Sequence, residues 1–260
     1  MKGLFMKEWF FMRGWAYAVL IFSVLMTFII PITLTIYFSD SLDVLNGALA
    51  SILFLGVVFS IFIPALILMT SLGKEAERSD IWLHSPSSIF TLFGVKALFA
   101  SLVGAVNMII SAVFFTFLLM IELEPFQLAL EETPLRFWII FFTGLFLIAL
   151  ILMCIGLLFR VIYLVMKPYA GRMTKYLTFG ALLLFVWLID KVTNSSPYQK
   201  ISTFGKIGEA SGSQFSLGVD SLTLWVDESL FYIGETFLSI GFASLLFIGS
   251  ALLFEKKVRL

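Results

Sequence analysis

Six long apolar runs, at residues 15–38, 49–72, 94–121, 137–159, 176–193 and 229–254, dominate the chain, and its polar residues collect in the segments between them. Each run is close to the roughly 20 residues that a helix needs to cross a hydrocarbon core about 30 Å thick. None alternates apolar and polar positions as the strands of a membrane barrel do, and only helices or closed barrels satisfy every backbone hydrogen bond in lipid. The pattern therefore predicts an all-α integral membrane protein, a bundle of six transmembrane helices forming a single transmembrane domain over residues 1–260. Pro31 and Pro64 fall inside the first two runs and predict kinks there. Gly104, Ala105, Ser111 and Ala112 give the third run small residues suited to a close helix contact.

Composition reinforces this reading. Hydrophobic residues make up 60% of the chain and charged residues 13%, with 30 phenylalanines and a mean hydropathy of +1.05. Soluble domains have roughly 45–50% and about 25%. The net charge is zero, yet the charges are sorted along the chain. With six crossings, Lys2, Lys7, Arg13, Lys74, Arg78, Lys96, Arg160, Lys167, Arg172, Lys175, Lys256, Lys257 and Arg259 lie on the side of the termini, whereas Arg136, Lys191, Lys200 and Lys206 lie on the other. The excess of lysine and arginine predicts that both termini are cytoplasmic in a multi-pass protein of the cell membrane. Glu122, Glu124, Glu131, Glu132, Asp220, Asp227 and Glu228 collect outside, which fits the same orientation.

Three segments qualify the simple picture. Before the first run, MKGLFMKEWFFMRG mixes Lys2, Lys7 and Arg13 with Trp9, Phe10 and Phe11, a composition suited to the headgroup region. It predicts an amphipathic interfacial helix or a cytoplasmic extension of the first span, since its charges do not gather on one helical face. Residues 160–175 read as a second cytoplasmic connector, with Pro168 and Gly171 breaking a continuous helix. Residues 194–228 form a long extracellular loop with turn formers at both ends and a mildly apolar centre, expected to fold against the outer rim of the bundle.

Motifs for chemistry are absent. A phosphate-binding loop needs two spaced glycines followed by lysine and a hydroxyl residue, and neither Gly73-Lys74 nor Gly205-Lys206 has that context. A helical zinc site needs two histidines, and His84 is the only one. Cys154 is the single cysteine and reads as packing, so no disulfide or cysteine metal cluster can form within the chain. The expectation is a protein that is not an enzyme and uses no cofactor. Asn107, Ser111, Thr116 and Thr143 are polar groups near span centres, with too few acids there for ion coupling. For Asn107 and Ser111, hydrogen bonding between helices is favoured over a substrate path.

A passage without its own energy source needs a docking element, and the connector over residues 73–93 has suitable features. In GKEAERSDIWLHSPSSIFTLFGVK, helical spacing puts Glu77, Asp80 and His84 on one face and Arg78 and Trp82 on another. Ser85 can cap a second helix with Pro86 at its first position, running through Ile89, Phe90 and Phe93 into the third span.

This succession of charged cluster, apolar pair, Pro with hydroxyl-rich turn, and apolar run with Gly-x-Lys resembles the cytoplasmic connector of type-2 ATP-binding cassette exporter permeases. The six-span layout, the amphipathic segment at the start, the polar loop before the last span and the basic tail FEKKVRL extend the resemblance over nearly the whole chain. It departs at DIWLHSP, where many members carry a Gly-Thr-Leu-Glu-like run. The resemblance implies a permease subunit, homodimeric or paired with a similar chain, driven by separate ATPase subunits that dock on the connector. Glu75, Glu77 and Arg78 then match the charged cluster, Pro86 the turn, and Lys96 the lysine at the start of the third span, with Trp82 as a further contact. The bilayer is the other expected partner, and no nucleic acid is expected. A different class of function, also compatible with the sequence, is a non-transporting membrane protein, an immunity, sensor or assembly factor that binds a cytoplasmic partner through the same connector.

Overall fold

The computed structural model describes residues 2–37, 42–76, 88–120, 135–209, 214–216, 223–225 and 229–257. Helix α1 (Lys2–Val24) passes through a π-helical stretch, Leu25–Ile29, into α2 (Ile30–Tyr37). Then follow α3 (Leu42–Ala76), α4 (Ile89–Met120), α5 (Leu135–Ala170), a 3-10 turn at Gly171–Met173, α6 (Thr174–Thr193), the short α7 (Ser196–Ser202) and α8 (Ile233–Lys257). The only strands among the described residues are β1 (Lys206–Glu209), β2 (Gln214–Ser216), β3 (Thr223–Trp225) and β4 (Ser229–Tyr232). They pair antiparallel in nested fashion, β1 with β4 (Ile207 opposite Phe231) and β2 with β3 (Phe215 opposite Leu224).

Among the described residues, five segments are long and apolar enough to cross a membrane: Gly3–Thr33, Leu55–Glu75, Ile89–Phe114, Phe141–Thr193 and Ile233–Lys257. The fourth contains α5 and α6, and it is not one straight rod. The rings of Phe159 and Phe185 stand 5.4 Å apart, whereas on one continuous helix they would be separated by roughly 39 Å at 1.5 Å per residue. The chain doubles back at Gly171, whose φ of +52° is a conformation that side chains with a Cβ rarely adopt.

Several boundaries differ from the hydrophobic pattern. The amino-terminal segment is continuous with the first span as one helix. Residues 160–170, expected in a connector, extend α5. Arginine and lysine end an apolar run without ending a helix, and Pro168, two residues before the terminus, removes only a bond of the last turn. Residues 229–232 form β4 rather than the start of the last span. At Pro31, where the pattern predicts a kink, the structure shows a π-helical turn before the proline. Proline has no N–H for the carbonyl four residues back, and the turn before it is wound wider, with the Ile30 N–H donating to the Leu25 carbonyl.

Besides an apolar core, the bundle has apolar outer faces. Leu55, Ile109, Val113, Phe237 and Leu245 are each more than half exposed, while Ser60, Ser71, Lys96 and Asn107 are buried. Outer faces of this kind suit lipid rather than water, and the fold is that of a multi-pass helical membrane protein. At its centre α3 packs most extensively against α4 and α5. Gly104 admits the Pro64 ring so closely that a Cβ there would overlap it, and a Cβ on Gly156 would lie 3.3 Å from Met69 Sδ, a tight contact. The core, including Met12, Leu68, Leu72, Phe93, Leu157, Val161 and Phe254, gathers where α1 begins and α3, α5 and α8 end.

Candidate functional site

At that tightly packed end, charged residues from three helices meet inside the bundle. On α1 and the π-helical stretch that follows it, Glu8, Met12, Ala16, Ser23 and Thr27 are buried at helical spacing and form an inward stripe. Glu8 and Lys7 thereby reach the last turns of α3, where Ser71 and Glu75 lie one turn apart on the face toward α1. From α4, Lys96 enters two turns beyond the start of the helix.

The resulting cluster is saturated. Lys96 Nζ donates to Glu8 Oε1 at 2.6 Å, to Ser71 Oγ at 2.7 Å and pairs with Glu75 Oε2 at 3.0 Å, one partner for each of its three N–H bonds. The Ser71 hydroxyl, accepting from Lys96, donates onward to Glu8 Oε2 at 2.9 Å. Glu75 Oε1 accepts from Lys7 Nζ at 2.8 Å. Two carboxylates and two ammonium groups leave no net charge, which is what makes their burial tolerable. Lys96 and the two acids are at most 5% exposed at their side chains, whereas Lys7 is 42% exposed and forms the outer edge. Lys74 strengthens the α1–α3 junction with its ammonium 5.4 Å from the Phe11 ring and 5.7 Å from the Trp15 ring. Phe5 and Trp9 meet Phe99 edge-on and fasten α1 to α4.

A second polar layer lies three helical turns further into the bundle. Asn107 Nδ2 donates to Ser60 Oγ at 2.6 Å, and the Ser60 and Ser111 hydroxyls are 3.0 Å apart. Ser60 and Ser71 on α3, and Lys96 and Asn107 on α4, are each eleven residues apart, so the two helices present polar groups to one another with a common three-turn repeat.

Of the residues singled out in the sequence, Glu75 is buried and bound to Lys7 and Lys96. Asn107 and Ser111 hydrogen-bond across to α3. Glu77, Arg78, Trp82 and Pro86 lie outside the described residues, as do His84 and Ser85. Helix α4 starts at Ile89 with Ser88 at its cap, where Thr91 N–H donates to Ser88 Oγ at 3.3 Å. Sequence reasoning missed Glu8, Lys7 and Ser71. One signal was available, since Glu8 is the only acid before Asp40 and sits among Trp and Phe.

Chemically the cluster is a clamp. The three N–H donors of Lys96 are all used within it, and among the described residues no three histidine, cysteine or acidic side chains converge to hold a metal. What it does is fix the start of α1, the end of α3 and the start of α4 in a single register, and the segment 77–87 leaves and returns through two of those three points. In comparisons with protein-family models, characterised proteins and solved structures, none matches this chain.

Proposed function

We propose that this chain is the transmembrane permease subunit of an ATP-binding cassette exporter, driven by a separate ATPase subunit that docks on the cytoplasmic connector between α3 and α4. The buried clamp of Glu8, Ser71, Glu75 and Lys96 supports this reading most directly. A connector that is to pass force into the membrane needs a rigid root, and this one emerges from two helix ends held together by a saturated ion network. In this scheme Glu75 anchors the root, and Glu77, Arg78, Trp82 and Pro86 meet the partner. Both termini are cytoplasmic, α5 and α6 each cross the cell membrane to give six crossings, and a second permease, identical or similar, completes the pathway.

The test is affinity purification of the full chain from its native membranes in mild detergent. The expected result is co-purification of a subunit with a nucleotide-binding loop and ATP hydrolysis by the complex. The double reversal Glu77→Lys with Arg78→Glu should release that subunit while leaving the thermal unfolding of the permease unchanged. Purification with no ATPase, or an association indifferent to the double reversal, overturns the proposal.

A further inference from the structure

On the side of the bundle away from the clamp, α5, α6 and α8 diverge around a cleft of about 1090 Å³. Its walls are apolar, with Ile155, Ile189, Phe237 and Leu245 among them, and it is closed at one end by α7, which contributes Tyr198 and Lys200. The position of α7 is fixed by the start of α8. Gly234 N–H donates to the Phe204 carbonyl at 2.9 Å, Ile233 N–H to the Gly205 carbonyl at 2.8 Å, and a Cβ on Gly234 would overlap the Ile201 carbonyl. Because α7 follows the last turn of one membrane-length helix and is tied to the first turn of another, it lies at the boundary between lipid and water. From Ile233 to Leu245 the cleft follows α8 for about 18 Å, close to the thickness of one leaflet. Among the described residues no carboxylate lines it and Lys200 makes no ion pair.

We infer that this cleft holds an acyl chain of an anionic phospholipid from the surrounding leaflet, with the phosphate at Lys200 and Tyr198. An apolar slot one leaflet deep matches a chain, and a cation with a phenol hydroxyl at its boundary end matches a phosphate. The inference rests on the membrane-embedded fold and is independent of the transporter reading.

Gly241 provides the decisive variant. It lines the cleft, and a Cβ built there meets nothing within 4 Å, so a larger side chain can start from open space at the cleft wall. The full chain would be placed in lipid nanodiscs of phosphatidylcholine containing a phosphatidylglycerol with a photoactivatable acyl chain, then illuminated, and its adducts mapped by mass spectrometry. Adducts are expected to concentrate on the cleft residues of α5, α6 and α8. Gly241→Phe should reduce them about tenfold by excluding the chain. Lys200→Glu should reduce the preference for phosphatidylglycerol over phosphatidylcholine by about fivefold. Gly241→Leu repeats the test if the phenylalanine variant fails to fold. Adducts as dense on the exposed α4 residues Ile109 and Val113, yields indifferent to the Gly241 variants, or cleft residues cross-linking to a second copy of the chain would each overturn the assignment.

Discussion

Lys96 of α4 and Glu8 of α1, 88 residues apart in the chain, meet at 2.6 Å with both side chains buried. The two ends of this contact are not energetically equivalent. Lys96→Met leaves Glu8 and Glu75 facing each other without their shared cation, the kind of change that costs about 3–5 kcal/mol. Glu8→Gln keeps an acceptor for Lys96, which also retains Glu75, and should cost about 1–3 kcal/mol. Neutralising the cluster together, with Glu8→Gln, Glu75→Gln and Lys96→Met, should recover much of the loss from Lys96→Met alone. Thermal unfolding in detergent, followed by a thiol-reactive dye at buried Cys154, orders the three proteins. Equal stability of Lys96→Met and Glu8→Gln would show that the cluster does not clamp the helices.

The α3–α4 contact has a steric test. Gly104→Leu drives a side chain into the Pro64 ring and should destabilise by about 1–3 kcal/mol, as overpacking of a tight contact does. Pro64→Ala opens that space, so the double variant should be more stable than Gly104→Leu alone. A double-mutant cycle of unfolding midpoints measures the coupling. If the two effects simply add, the helices do not meet at this point.

Asn107 should prove less important to stability than its complete burial suggests. It donates to Ser60, yet its Oδ1 is buried with no hydrogen-bond partner among the described residues. Asn107→Leu removes one bond and one unsatisfied carbonyl together. Hydrogen bonds between membrane helices average about 0.6 kcal/mol, so the unfolding midpoint should move only slightly. Under the permease proposal, substrate affinity in transport assays should stay unchanged, because the amide is turned toward α3; a large loss of affinity at normal stability would place Asn107 in the substrate path instead.

The apolar runs made the helices legible in the sequence because lipid imposes a single requirement on every outward face. Their ends were less legible. Hydropathy falls at Arg160, but α5 continues to Ala170, since leaving the hydrocarbon does not by itself end a helix. Pro64 and Gly104 were visible individually as a kink and a small residue, and only packing shows that they belong to one contact. Lys96 stood out within its apolar run, whereas Glu8 was lost in a mixed segment with no clean charged face. The reason is physical. The countercharges for α1 come from α3 and α4, so the neutrality that permits burial is tertiary and leaves no periodic trace in α1. The pairing of β1 with β4 across a polar loop is equally non-local.

Membrane topology gives the last prediction and uses the silence of Cys154. It is the only cysteine, and at 7% exposure it should not react with a polar maleimide in the folded protein, so new cysteines can be read in the native background. Arg172, in the turn between α5 and α6, and Gln199, on α7, are both exposed. If α6 crosses the membrane, they lie on opposite sides. With cytoplasmic termini, Gln199→Cys is labelled on intact cells by an impermeant maleimide, and Arg172→Cys only after permeabilisation. Glu255→Cys, near the end of α8, should behave like Arg172→Cys. Labelling of Arg172→Cys and Gln199→Cys from the same side would mean that α6 returns without crossing, leaving five crossings and termini on opposite sides. The connector at residues 77–87 then still shares a side with the start of α1, so that outcome would separate the number of crossings from the clamp at its root.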